Sequence, residues 1–387
     1  MVSQEGLKLT TYFGERSRVK GTLLADELLD IYARRMIRSS VLLRGVQGFG
    51  AKHRLRSDRL LTLSEDLPLV CVAVDDHEQI ERLLAEVSSI GHEGLVTLER
   101  ARLYGAGETN LARRETGPGT LALGPETHKP NPIASEPDSS ASETVIPPVR
   151  GPREAGQAVK LTVYLGRHQR LDGSPAFVAV CQTLRDSGVA GATVLLGVDG
   201  TRHGERERAR FFARNVNVPL MVMSVGEQHQ IGAAVARLER MLDEPLLTFE
   251  NVRVCKRDGV LLERPHDEST TRKYGLDMRQ KLTVVISEAA LCEQRPVYLE
   301  LVRRLRAANA AGATSMRGIW GFHGDHAPHG DRLLSIRRHV PVVTEAIDTP
   351  ERIAVLFPIV DELTKEHGLV TSELVPAGSA LHSAPGL

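Results

Sequence analysis

Leu7-Lys8-Leu9-Thr10-Thr11-Tyr12-Phe13 alternates apolar and polar positions and is rich in β-favouring side chains, which predicts a strand. Over 22–36 the period changes: Leu24, Leu28 and Ile31 fall on one face of a helix. Val41 to Arg44 reads as a second strand and Pro68 to Val74 as a third. From Asp76 to Ser89 the helical period returns, with Ile80, Leu83, Leu84 and Val87 on one side, Asp76 placed to cap and Gly91 to stop. Leu95 to Ala101 closes the series as a strand. The predicted order is strand-helix-strand-strand-helix-strand, the ferredoxin-like split arrangement.

This pattern occurs three times. Lys8, Lys160 and Lys281 each open a Lys-Leu-Thr start, and Gly45, Gly197 and Gly318 each follow 37 residues later. Pro68, Pro219 and Pro341 open an apolar run at offsets 60, 59 and 60, and Thr97, Thr248 and Thr371 stand in a closing strand at offsets 89, 88 and 90. Such constant spacing marks homologous units. Ser174-Pro175 and Thr349-Pro350 place a cap before a proline, and Gly188 and Gly368 stand where helices should stop. The predicted domains are 5–104, 158–256 and 279–376. Residues 105–157, without a Phe, Trp or Tyr, read as a disordered linker, 257–278 as a shorter charged linker and 377–387 as a tail.

The third strand is apolar on both parities: Leu69 to Val74 in repeat 1, Leu220 to Met223 in repeat 2, Val342-Val343 in repeat 3. A strand with one wet face should alternate, so both faces should be covered. Two helices per repeat cover one face; the other repeats are the nearest cover for the second. A 53-residue linker with an r.m.s. reach of roughly 40 Å lets them meet. The expectation is a monomer acting as a pseudo-trimer.

Composition narrows the function classes. Lys and Arg total 49 against 49 Asp and Glu, which argues against a nucleic-acid partner. The four cysteines (Cys71, Cys181, Cys255, Cys292) form no Cys-x-x-Cys pair, so a reducing cytoplasm is expected. No signal peptide is visible at Met1 to Leu7, and no run of 18 apolar residues predicts membrane insertion. No Ser/His/Asp or Cys/His set recurs, so an enzyme is not expected.

The candidate chemistry lies after the second strand. Arg44, Gly45, Gly48, Phe49 and Gly50 form a glycine stretch, followed by Lys52, Arg54 and Arg56; repeat 2 has Arg202, Arg206 and Arg208 at this place. Successive backbone amides with basic side chains suit an anion. A solvated charged turn fits the same residues. Gly50 is followed by Ala51-Lys52 rather than Lys-Ser/Thr, so this is no P-loop. Repeat 3 repeats the stretch with Arg317, Gly318, Gly321, Phe322 and Gly324, then His323, Asp325, His326 and His329, a set that offers ligands to a divalent metal.

These residues resemble the branch of the PII-like signalling superfamily catalogued as domain of unknown function 190. The resemblance rests on Arg44 to Gly50, on Leu63-Ser-Glu-Asp-Leu-Pro68, and on Arg317 to Phe322 with Pro341-Val-Val and Ile347-Asp-Thr-Pro-Glu-Arg-Ile353. It implies an α+β fold class: three tandem ferredoxin-like (βαββαβ) PII-like domains packed as an intramolecular pseudo-trimer. It implies clefts that bind a small anionic effector, an adenine nucleotide first. It implies a regulatory target that is a membrane transporter or an enzyme, and a role in ion (fluoride) homeostasis. A neighbouring unit's loop, such as the one at Gly91, should help close each cleft. In repeat 2, Asp199-Gly200-Thr201 lacks the aromatic, so inequivalent clefts are expected. A metal-binding protein and a ligand-free interaction module are the alternatives.

Overall fold

The computed structural model describes residues 3–50, 52–57, 66–104, 156–208, 218–243, 245–265, 273–323, 329–330 and 340–379. Repeat 1 has an opening strand Ser3–Gly14, helix Leu24–Arg34, a second strand in two pieces (Ser39–Arg44, Gln47–Phe49), a third strand Pro68–Asp76, helix His77–Ser89 and closing strand Leu95–Tyr104. Repeat 2 runs Gln157–Gly166, helix Ala176–Asp186, Gly191–Arg202, Pro219–Gly226, helix Gln228–Met241 and Leu246–Arg257. Repeat 3 runs Asp277–Ser287, helix Val297–Ala307, Ala313–Arg317 with Trp320–His323, Pro341–Asp348, helix Pro350–Leu363 and Leu369–Ser379.

Local signals account for several boundaries. Asp76 accepts the Gln79 amide at 2.9 Å and Thr349 accepts that of Arg352 at 3.3 Å, as caps should. Ser174-Pro175 does not act this way: it forms a two-residue strand with Arg170–Leu171, and the helix begins at Ala176 without a side-chain cap. Residues 260–261 pair back on the closing strand of repeat 2, so part of the expected second linker is a hairpin. The linker 105–157 lies outside the described residues apart from its last two.

The expected class of three tandem ferredoxin-like domains is overturned by the sheet. Among the described residues, the strands of all three repeats hydrogen-bond across repeat boundaries into one antiparallel sheet of 18 strands. Phe49 of repeat 1 pairs with Ala313 of repeat 3, Phe322 of repeat 3 with Ala192 of repeat 2, and Thr201 of repeat 2 with Ser40 of repeat 1. The closing strands continue the cycle: Leu247 pairs with Tyr104, Arg253 with Ser372, and Ala377 with Thr97. Each repeat ends its own sheet at its second and closing strands, whose outer edges carry unpaired amides and carbonyls. Pairing those edges with the next repeat satisfies them, and the round of pairings closes on itself. Periodicity reports faces, not edges, so this was invisible in the sequence.

The third strand serves two cores. In repeat 1, Leu69, Cys71 and Ala73 join the helices, whereas Val70, Val72 and Val74 join a central cluster. That cluster also takes Tyr164, Leu195 and Met221 from repeat 2 and Met316 and Val343 from repeat 3.

Candidate functional site

The glycine stretch is where one repeat crosses onto the next. Gly45 donates its amide to Pro68 O and Val46 donates to Ser315 O, both at 2.8 Å. A Cβ on Gly48 would stand 2.7 Å from Ala313 O; on the corresponding Gly200 and Gly321 it would stand 2.3 Å from Ser40 O and 2.2 Å from Ala192 O. These glycines let two backbones approach. The amides of Gly45 and Val46 are used in that joint, so they do not form the open anion cradle that the sequence suggested.

The aromatic after this glycine is exchanged between repeats. Phe49 is buried in the helix core of repeat 3, and Phe322 in that of repeat 2. Each exchange buries an aromatic worth about 1.5–3 kcal/mol. Repeat 2 has Thr201 here, which hydrogen-bonds Ser40 across the boundary at 2.7 Å. Phe49 also stacks on His53, ring centroids 5.8 Å apart.

Beyond Phe49 the chain enters a cleft of about 360 Å³ between repeats 1 and 3. Tyr12, Phe13, Phe49, Pro68 and Ile347 give it an apolar floor. Gly50, Lys52, Arg54 and Arg56 line one wall, Ala311 to Thr314 and Arg279 the other, and Glu93, Gly94 and Gly378 the end. Lys52 pairs with Glu93, and Arg56 with Asp66 at 2.8 Å. Asp348 is occupied by the amides of Ala311 and Thr349, each at 2.8 Å. Arg54 has no ion-pair or hydrogen-bond partner among the described residues, and Arg279 has a 4.0 Å approach to Asp277. The cleft therefore combines apolar rings with Arg54, a guanidinium without an ion-pair partner among the described residues, while Arg279 has Asp277 and the charge of Glu351 near it.

The structure brings together Phe49, Gly50, Lys52 and Arg54 and leaves the other candidates elsewhere. Arg44 pairs with Glu15 at 2.9 Å, and Arg317 with Glu288 at 2.8 Å. Gly318 donates to Pro341 O, repeating the Gly45 joint. Gly91, at φ +65°, ends a helix; Glu93 and Gly94 of its loop reach the cleft, from the same repeat as Phe49 rather than from a neighbour. Buried His92 has no hydrogen-bond partner on either ring nitrogen among the described residues, and burial lowers its pKa to about 4. Gly324, Asp325 and His326, and the side chains of His323 and His329, lie outside the described residues.

Sequence reasoning missed the centre of the molecule. Lys8, Lys160 and Lys281, the residues that mark each repeat, are buried and alternate with Glu99, Glu250 and Glu373 in a closed ring. Lys8 pairs with Glu99 and, at 2.6 Å, with Glu250; Lys160 reaches Glu250 and Glu373, both at 2.6 Å; Lys281 reaches Glu373 at 3.0 Å and Glu99 at 2.8 Å. Burial opposes the Lys281 charge, but Glu373 and Glu99 outweigh it and hold its pKa well above the ordinary lysine range. The three glutamates are the one group of metal-capable side chains found among the described residues, and the three ammonium groups already match their charge. A signal existed: a glutamate stands two residues after each anchor threonine, at the same place in all three closing strands.

The comparisons agree with this threefold construction. The model of the family DUF190, "Uncharacterized ACR", matches residues 6–103, 158–254 and 279–377. The chain belongs to the DUF190 family. A UPF0166 protein of Aquifex aeolicus (strain VF5) is 30% identical over 91 residues, 24% of this chain and 86% of the relative. A UPF0166 protein of Methanocaldococcus jannaschii is 28% identical over 110 residues, 28% of this chain and 98% of the relative. A relative of this DUF190 chain is thus about one repeat long. No described helix is long and apolar enough to cross a membrane.

Proposed function

We propose that this DUF190 chain is a PII-like regulatory protein that binds a small anionic effector, an adenine nucleotide first, in the cleft between repeats 1 and 3, and thereby controls a transporter or an enzyme. One observation carries the reading: Arg54, without an ion-pair partner among the described residues, lines the same cleft as the rings of Tyr12, Phe13 and Phe49. A ligand with a flat apolar part and a negative group matches both halves of that surface. The volume, about 360 Å³, suits a small molecule and not a polymer.

Calorimetric titration of the full chain with ADP and ATP tests this. Saturable heat is expected, with affinity lowered about tenfold or more in Arg54→Ala, the effect of about 1.4 kcal/mol. No heat from the wild-type chain with either nucleotide contradicts the reading.

A further inference from the structure

The boundary between repeats 2 and 1 is built by the same operation as that between repeats 1 and 3. Thr201 pairs with Ser40 as Phe49 pairs with Ala313, and both members of each pair stand at matching distances from their opening lysines. The loop that follows carries arginines in both places. What faces those arginines differs.

In the boundary of repeats 2 and 1, Arg206 is enclosed by carboxylates. It bonds Asp26 at 2.6 Å and Asp30 at 2.8 Å, both on the first helix of repeat 1, and Asp199 at 2.8 Å on its own strand. Arg208 adds contacts to Asp26 at 3.4 Å and Asp199 at 3.5 Å. Counted from the opening lysines, Asp26 and Asp30 correspond in repeat 3 to Leu299 and Arg303. The same face of the same helix thus presents two acids to one loop and none to the other, and Arg54 is left without a partner among the described residues. A guanidinium that already holds three carboxylates has little left for an outside anion, and prising it loose leaves those carboxylates uncompensated.

We infer that the boundary of repeats 2 and 1 is a self-liganded copy of the effector cleft, in which Asp26, Asp30 and Asp199 occupy the position that an effector's negative group takes beside Arg54. The chain carries within itself both an open cleft and a permanently filled one. This rests on reading the cleft of repeats 1 and 3 as an anion site. A second difference points the same way. Tyr12 and Glu345, both in the open cleft, are hydrogen-bonded, and Glu345 lies 4.0 Å from Lys281 of the central ring. The residues corresponding to Glu345 are Val72 and Met223, so the other boundaries lack this link.

The test is ADP titration of the full chain by calorimetry, in the wild type and four variants. Arg54→Ala should weaken one binding event about tenfold or more. Arg206→Ala should keep the wild-type number of sites and affinity, and Arg206→Lys, which retains a cation should the alanine variant unfold, should do the same. Asp26→Asn with Asp30→Asn should gain one weaker site. A folded Arg206 variant that loses a binding event, or a double asparagine variant that gains none, overturns the inference while leaving the effector cleft intact. Absence of ADP binding by the wild-type chain overturns both.

Discussion

The Tyr12 hydroxyl donates to Glu345 at 2.9 Å across the boundary between the first and third repeats. Burial, then the Glu345 charge, raises the Tyr12 pKa well above its ordinary value, so the phenol keeps its proton. Both residues line the cleft, and Glu345 approaches the ring lysine Lys281. Tyr12→Phe deletes the donor and leaves a buried carboxylate oxygen without it. A loss of about 1–3 kcal/mol is expected in urea unfolding, with no compensating gain in Glu345→Gln on the same background.

The central ring makes a stronger demand. Lys160→Met leaves Glu250 and Glu373 each with one ammonium group in place of two. Removing one partner from a buried ionic cluster costs about 3–5 kcal/mol. Replacing Lys160 and Glu250 together by Met and Leu should cost less than Lys160→Met alone, because fewer charges are left unmatched. Urea midpoints of the single and paired variants decide this; equal costs would mean that the ring charges do not act as one unit.

Glu99 and His92 set the acid limit and Lys281 contributes to the alkaline one. Burial opposes the Glu99 charge, but Lys281, Lys8 and Lys160 outweigh it and hold its pKa well below 4.5. Its contribution is present above 4.5 and is lost as pH falls through the folded value. The lysine contribution is full below 10.5 and is lost as pH rises through the raised folded value of Lys281. His92 has its folded pKa lowered from 6.5 to about 4, so below 6.5 the unfolded chain takes up a proton that the folded chain refuses. Thermal midpoints should therefore be level from pH 6.5 to about 9, fall toward pH 4, and fall again above 9, where the unfolded chain releases thiol protons that buried Cys71, Cys181 and Cys255 keep. In His92→Leu the decline should begin only near pH 4.5.

Gly48 and Gly50 separate assembly from binding. A Cβ at Gly48 meets Ala313 O, whereas one at Gly50 meets nothing within 4 Å. Gly48→Ala should cost about 1–3 kcal/mol through the forced separation of two strands. Gly50→Ala should leave the thermal midpoint unchanged. A neutral Gly48→Ala would show that the joint is looser than the structure has it.

Much of this was legible in the chain. The anchors Lys8, Lys160 and Lys281 gave the repeat, and the doubled parity of Leu69 to Val74 gave two covered faces, because burial leaves a period. Arg54, Lys52 and Phe49 were placed together by their proximity after one strand. The fold class was misread because edge pairing, such as Phe49 to Ala313, depends on backbone groups that every residue carries. The ring was missed because a lone glutamate in a strand, such as Glu250, acquires meaning only when two distant copies converge on it. Gly45 and Gly318 were read as a ligand cradle, since a close approach to a phosphate and a close approach to another strand ask the same thing of a residue.

An assembly of identical copies must repeat every substitution at each symmetry-related place. Here the round of strand pairing is completed by a single polypeptide, so that constraint is lifted. An acid can be introduced at Asp26 without appearing at position 299, and a tyrosine–glutamate bond can be made at one boundary alone. The covalent continuity of the cycle is what allows three faces of common descent to be assigned different work.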